Sequence, residues 1–315
     1  MPFPTVVTGR VDTMLTNISL AIVNQEFIHD KILPVVPNLI AETGLIGAYA
    51  DDTNLRIFES IRSIDDEGEH RIEYKQTNDT SYRIDFHDLE KRIPDRVAAQ
   101  FQKPFDANRD ALTILENLRD LSMENALATV LADATVLTNT STPSTLWDDP
   151  TSDPLGDMET AAEAIRAKKG VRPNKCWTNS VVIGKLKGHP QIKEQITGGG
   201  VLTTPSTEKV IAIIKEYLNV DEIHVGKAIK ATSKEGQALT KGEVWSDDFG
   251  LYYAPSSPSL MTPSFGYRFE INGVKKRVTR RRDKNDQGNM QRLEWAYQDK
   301  ILDVDSCYLL DQVIS

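Results

Sequence analysis

The sequence predicts an α+β protein in which one compact module interrupts another part of the chain, and three observations predict it. In residues 106–134 the apolar Ala111, Leu112, Ile114, Leu115, Leu118, Leu121, Leu127, Val130 and Leu131 recur mostly three or four apart. Asn108, Asp110, Glu116, Asn117, Arg119, Asp120 and Glu124 fall between them. That is one amphipathic helix, roughly 40 Å long at 1.5 Å per residue. Between about residues 147 and 254 helix and strand patterns then succeed one another at the spacing of a closed module. Finally, strictly alternating segments occur on both sides of these elements, at 71–74 and 82–86 before them and at 267–271 and 293–297 after them. Strands that follow a closed module must return elsewhere, and the long helix is their natural seat.

Taken in order, residues 12–28 carry Leu15, Ile18, Ala21 and Ile22 at helical spacing. Pro34 and Pro37 then forbid both helix and central strand. The result is an extended arm whose Ile32, Leu33, Val35 and Val36 need the body of their own chain or a neighbouring copy to lie against. Residues 71–74 and 82–86 read as two strands joined by a polar turn at 75–81. A two-stranded ribbon is marginal alone in water, so this hairpin is expected to project and dock elsewhere. Pro104 precedes the long helix and a Thr/Ser/Pro run at 138–145 follows it.

Within the module, Asp153 or a close neighbour caps a helix through Met158, Ala161, Ala162 and Ile165 that stops at Gly170. Residues 175–178 form a strand, and Asn179 caps a helix through Val182, Ile183 and Leu186. Pro190 opens another helix ending near Gly198, residues 207–218 form a further one, and 223–226 return to strand. A basic run, Lys275, Lys276, Arg277, Arg280, Arg281 and Arg282, alternates along a strand and predicts a solvated or intersubunit salt-bridging face.

The bulk numbers fit a globular chain of 315 residues with 39% hydrophobic and 26% charged content. A net charge of −9, from 46 acids against 37 bases, argues against a nucleic-acid coat that grips phosphate directly. Cys176 and Cys307 lie far apart in unlike surroundings, suggesting neither a disulfide framework nor zinc. No apolar run reaches membrane-span length, and the first residues lack a signal-peptide pattern.

Chemistry-bearing motifs are weak throughout. Asp148, Asp149, Asp153, Asp157 and Glu159 form an acidic loop, but their spacing departs from the calcium loop, and helix capping explains them more simply. Gly198, Gly199 and Gly200 lack the Lys-Ser/Thr of a phosphate loop. His29, His70, His87, His189 and His224 are scattered, and His189 before Pro190 reads as a helix-start residue. The sequence therefore predicts no catalytic, metal or cofactor site.

Several of these segments together resemble a family. The arm with Leu33, Pro34, Val35, Val36 and Pro37 and the long helix are two of them. Others are Trp147-Asp148-Asp149-Pro150 with Ser152-Asp153-Pro154, His189-Pro190, the 220–226 turn into strand, and Thr262-Pro263-Ser264-Phe265-Gly266-Tyr267. In order and spacing they resemble a major capsid protein of tailed bacteriophages over nearly the whole chain. The resemblance implies the Hong Kong phage-type capsid fold, shared with encapsulins. It implies an N-terminal arm at 1–54, an extended loop at 55–94, a peripheral domain at 95–146 and 262–315 around the spine helix, and an axial domain at 147–261.

It further implies self-assembly as hexamers and pentamers into an icosahedral shell around double-stranded DNA, within a virion assembled in the host cytoplasm. Partners would be other copies of the chain, a portal, and scaffolding or decoration proteins, with DNA enclosed without sequence-specific binding and no membrane. Intersubunit contacts would come from Arg71, Ile72, Tyr74, Lys75, Tyr82, Ile84 and Phe86 of the extended loop and from Ile32, Leu33, Val35 and Val36 of the arm. Gly198, Gly199 and Gly200 would meet at the capsomer axis. Lys75 is a conceivable crosslink donor without an identified acceptor, so non-covalent locking is the expectation. The alternatives are an encapsulin-like compartment and a metal-dependent enzyme using the 148–159 loop.

Overall fold

The computed structural model describes residues 10–11, 27–49, 76–98, 107–197, 205–234, 236–238, 240–258, 262–272, 274–283 and 287–315. Two sheets flank one long helix, and the helix serves both. In chain order the first elements are strand β1 (Arg10–Val11), helix α1 (His29–Ile32), and strands β2 (Val35–Leu39), β3 (Thr43–Tyr49), β4 (Gln76–Arg83) and β5 (Asp85–Pro94). A short helix α2 (Asp95–Ala98) leads to the spine helix α3 (Ala107–Leu131).

The first sheet is built on β14 (Gly288–Ile301). Strand β5 runs antiparallel along one side of it, from Pro94 opposite Gly288 to Asp85 opposite Tyr297. Strand β13 (Arg277–Asp283) takes the first half of the other side and β12 (Gly266–Ile271) the second half. β1 extends the edge at β13, and β2 joins β12 in parallel. From its start as far as Met123, α3 packs on this sheet, with Leu112, Leu115 and Met123 against Val278, Leu293 and Trp295.

The second sheet has the order β6-β15-β11-β7-β8, from strands β6 (Thr140–Ser141), β7 (Lys175–Asn179), β8 (Glu222–Gly226), β11 (Phe249–Tyr252) and β15 (Cys307–Leu310). Alternation sorts its side chains by face. Cys176, Phe249, Leu251 and Leu310 meet helices α4 (Pro154–Lys169), α5 (Ser180–Leu186), α6 (Pro190–Thr197) and α7 (Thr207–Leu218). Trp177, Tyr252 and Leu309 face the other way, onto Leu127, Ala128 and Leu131 of the spine helix. A small ribbon of β9 (Ile229–Ala231) and β10 (Lys241–Glu243) completes the module.

The helix-end signals act as expected. Asp153 Oδ1 accepts from Gly156 N at 3.0 Å, Gly170 closes α4 with φ 71°, and Asn179 caps α5. Three expectations need correction. The polar run at 75–81 is not a turn: from Gln76 it is strand, paired with β3 rather than with a neighbour in sequence. Thr77, Thr80 and Ser81 are as suited to a ladder as to a turn, and a non-local partner decides between them. The chain end does pack on the spine helix through Leu309, but it does so as β15 inside the second sheet, between β6 and β11, rather than in the first sheet with the other C-terminal strands. Lastly, Ile114, Leu118 and Val130 are 42%, 48% and 40% exposed, whereas Glu116 and Glu124 are buried. The buried face of α3 turns as its partner changes from sheet to module.

Candidate assembly surfaces

Among the described residues, the ribbon of β3 and β4 is fastened at its root. Opposite Gly44, the Tyr82 ring stacks on Phe269 with centroids 4.7 Å apart. A Cβ on Gly44 would come within 2.6 Å of that ring, so glycine is required beneath it. Ile84 is buried beside Tyr82, with Tyr267, Phe269 and Ile271. Leu45 is 71% exposed and Ile40 91%. Tyr82 and Ile84, expected to touch a neighbour, are thus spent on their own subunit, because they anchor the ribbon to the sheet. Phe86, 55% exposed, stays available. Arg71, Ile72, Tyr74 and Lys75 lie outside the described residues, as do Gly198, Gly199 and Gly200.

The arm is likewise seated at home first. Ile32 and Leu33 are buried against Leu127, Leu131 and Phe265, while Val35 and Val36, half-buried, pair with Arg268 and Phe269. Its seat is a buried polar joint that sequence reasoning missed. Glu124 of α3 accepts from Ile28 N at 3.0 Å, His29 N at 2.7 Å and the Trp245 indole Nε1 at 2.6 Å. One carboxylate therefore ties arm, spine and module together. Burial raises its pKa, against the three donors that lower it.

Beside it, Arg268 makes a bidentate pair with Asp299 at 2.6 and 2.8 Å, and its Nη1 donates to His29 Nδ1 at 3.1 Å. Burial, then the Arg268 charge, pull the His29 pKa down to about 2, so the ring is neutral and can accept. Glu116 faces Lys276 at 2.9 Å under the same helix. The signal available in sequence was Glu116, Asp120 and Glu124 at fourfold spacing, which placed three acids on one side of a helix with a wide apolar face.

The basic run pairs within its own chain. Lys275 meets Glu270, Arg277 meets Glu294, Arg281 meets Glu90 and Arg282 meets Asp95. Of the solvated or intersubunit face expected, this is the solvated form: Lys275, Arg281 and Arg282 are mostly exposed, and neighbouring strands and helix α2 carry the carboxylates.

In the acidic loop each carboxylate has its own task. Asp149 accepts from Thr151 N and Oγ1, Asp153 caps α4, Asp157 accepts from Trp147 Nε1, and Glu159 pairs with Arg172. His189 Nε2 lies 3.1 Å from Ser152 Oγ, the spacing of a nucleophile and base. Its Nδ1, however, accepts the Gln191 N–H at 3.3 Å, which leaves the proton on Nε2, directed at Ser152 Oγ and Asp149 O. A nitrogen that already bears a proton cannot take one from serine. The pair joins the loop to the start of α6.

No family model matches the chain. A curated relative, the major capsid protein of Burkholderia phage BcepMu, is 26% identical over 272 residues, covering 84% of each chain. The chain is a homologue of phage major capsid proteins. Solved structures agree in fold. A phage-related protein from Bordetella bronchiseptica superposes with TM-score 0.74 at 23% identity, covering 98% of this chain and 99% of that one. A Microbacterium phage Oxtober96 chain gives 0.61 at 8% identity over 99% and 95%. The SrpI encapsulin of Synechococcus elongatus gives 0.53 at 10% over 99% and 94%. The spine helix with its two sheets therefore has the Hong Kong phage-type capsid fold.

Proposed function

We propose that the chain self-assembles, as hexameric and pentameric capsomers, into the icosahedral shell of a tailed-phage virion enclosing double-stranded DNA. The observation that carries this is the ribbon: two strands held at Tyr82 and Ile84, with Leu45 and Ile40 bare. A two-stranded ribbon is marginal alone in water, and a neighbouring subunit would cover the bare Leu45 and Ile40. Phe86, Val35 and Val36 extend the same contact. Arg71, Ile72, Tyr74 and Lys75 belong to it by sequence position, and Gly198, Gly199 and Gly200 to the capsomer axis. The locking is non-covalent.

In this reading the peripheral domain is built on α3 and the first sheet, and the axial domain on the second sheet with its four helices. The role is structural rather than enzymatic, in keeping with the proton position on His189. Assembly takes place in the host cytoplasm with a portal and with scaffolding or decoration partners. The net charge of −9 suits a container that must release its genome. Electron microscopy of the purified chain tests the proposal: closed shells are expected, and small monodisperse particles under every assembly condition would sink it. The likeness to encapsulin favours one second reading, a protein-filled compartment, and nuclease-protected DNA inside shells recovered from the host separates the two.

A further inference from the structure

His29 occupies a place that only a neutral imidazole can fill. Its Nδ1 lies 3.1 Å from Arg268 Nη1, and a guanidinium can only donate, so Nδ1 must accept. The ring proton is then on Nε2, which faces Asp120 Oδ1 at 3.9 Å. His29 and Arg268 are both buried, so the contact is closed to bulk water.

Every element packed against the ring brings charge to it. Arg268 stands on β12 and is held by Asp299 of β14. Arg119, Asp120 and Glu124 stand on α3, where Arg119 lies 3.3 Å from Asp120 and Glu124 accepts from His29 N. Lys276 and Glu116 pair next to Asp120, and Asp30 and Lys31 are the neighbours of His29 in α1.

Protonating His29 removes the acceptor and sets a third cation beside Arg268 and Arg119. Asp120, already engaged by Arg119, offsets only part of this. The carboxyls respond in the opposite sense: burial raises the pKa of Glu124 and of Asp120, so their protonation favours the seated arm. A protonated carboxyl, however, keeps a carbonyl oxygen that accepts, whereas a protonated imidazole accepts nothing. His29 is therefore the group that acid turns against the seat.

The arm can leave without the rest. Helix α1 is four residues long, and β2 is an edge strand paired with β12. Neither the core under the four helices of the module nor the core between α3 and the first sheet contains an arm residue. Small peripheral elements open at a lower free energy than the whole fold.

We propose that the arm, residues 27–39, is a proton-operated strap: seated on its own subunit at neutral pH, and released in mild acid through His29 while spine helix, sheets and module stay folded. Release bares Ile32, Leu33, Val35 and Val36 and frees them for a neighbouring copy. The switch belongs to one subunit and is tested on unassembled protein, so it stands or falls apart from the shell reading.

Hydrogen exchange of the unassembled full-length chain, corrected for the intrinsic pH dependence of exchange, is the test. With a His29 pKa of about 2 when seated and 6.5 when free, the open arm gains on the seated one by about 25-fold between pH 7 and pH 5. Protection in peptides from residues 27–39 should fall by that factor while peptides from 154–186 change little. A loss in the module as large as in the arm would mean that the whole chain loosens, and no loss in the arm would mean that the ring is no trigger; either overturns the proposal. This comparison needs no variant. In His29→Gln, whose amide oxygen can still accept from Arg268, the arm should lose its pH dependence, and an arm that loosens in acid as before would also overturn it.

Discussion

Removing the Glu124 carboxylate would strand three donors at once, Ile28 N and His29 N of the arm and Trp245 Nε1 of the module. Buried donors that lose a charged acceptor cost far more than the net worth of the bonds. Glu124→Ala should therefore lower stability by about 3 kcal/mol in chemical denaturation, and hydrogen exchange at residues 28–33 should quicken more than in the module. His29 gives a pH dependence. Its ordinary pKa of 6.5 falls to about 2 in the folded chain, so unfolding takes up a proton below pH 6.5, and stability is lost as the pH falls toward 2. At pH 5 this amounts to about 2 kcal/mol relative to pH 7. His224, lowered to about 4, acts in the same sense. Glu124, raised, opposes both: where only its folded form is protonated, acid stabilises. His29→Gln should flatten the decline in melting temperature between pH 7 and 5; an unchanged slope would remove His29 as its source. None of these partners was legible in the sequence, because Glu124 and Trp245 stand 121 positions apart and Glu124 and His29 stand 95 apart. Only the misplaced acids of the spine helix hinted at them.

At the scale of elements, the ribbon separates what folds the subunit from what joins subunits. Tyr82 stacks on Phe269, so Tyr82→Ala should loosen β3 and β4 from the sheet, with loss of about 3 kcal/mol of local stability seen as lost exchange protection in both strands. Leu45 touches little of its own chain. Leu45→Asp should leave the melting temperature of the isolated subunit unchanged while abolishing shells in sedimentation, and intact shells with this variant would remove the ribbon from the contact. The helices of the module were readable because their signals are local: Asp153, Asn179 and Gly170 act within four residues of themselves. The ribbon was misread for the opposite reason. Strand β4 finds its partner in β3, across the whole stretch between Tyr49 and Gln76, and no pattern inside 75–81 encodes that distance.

For the whole molecule, the return of the chain end is decisive. β15 lies between β6 and β11, Leu310, Val313 and Ile314 enter the core under the four helices, and Trp147 N donates to Val313 O at 2.7 Å. The module is therefore closed by residues far beyond its apparent boundary at 261, from Cys307 onward. A fragment spanning 147–261 should be unfolded by circular dichroism, and joining residues 303–315 to it through a flexible linker should restore cooperative melting. A folded fragment without them would contradict the role assigned to β15.

The sequence by itself determined the spine helix, the caps and order of the module and the strand-like flanks. All of these rest on periodicity and on interactions within a few residues. The tertiary structure alone decided which face of the spine helix is dry, which acid becomes a joint, which strand partners the ribbon and where the chain end belongs. Those outcomes depend on contacts between distant segments, and burial, which turns a surface carboxylate into a buried clasp, exists only once the segments have met.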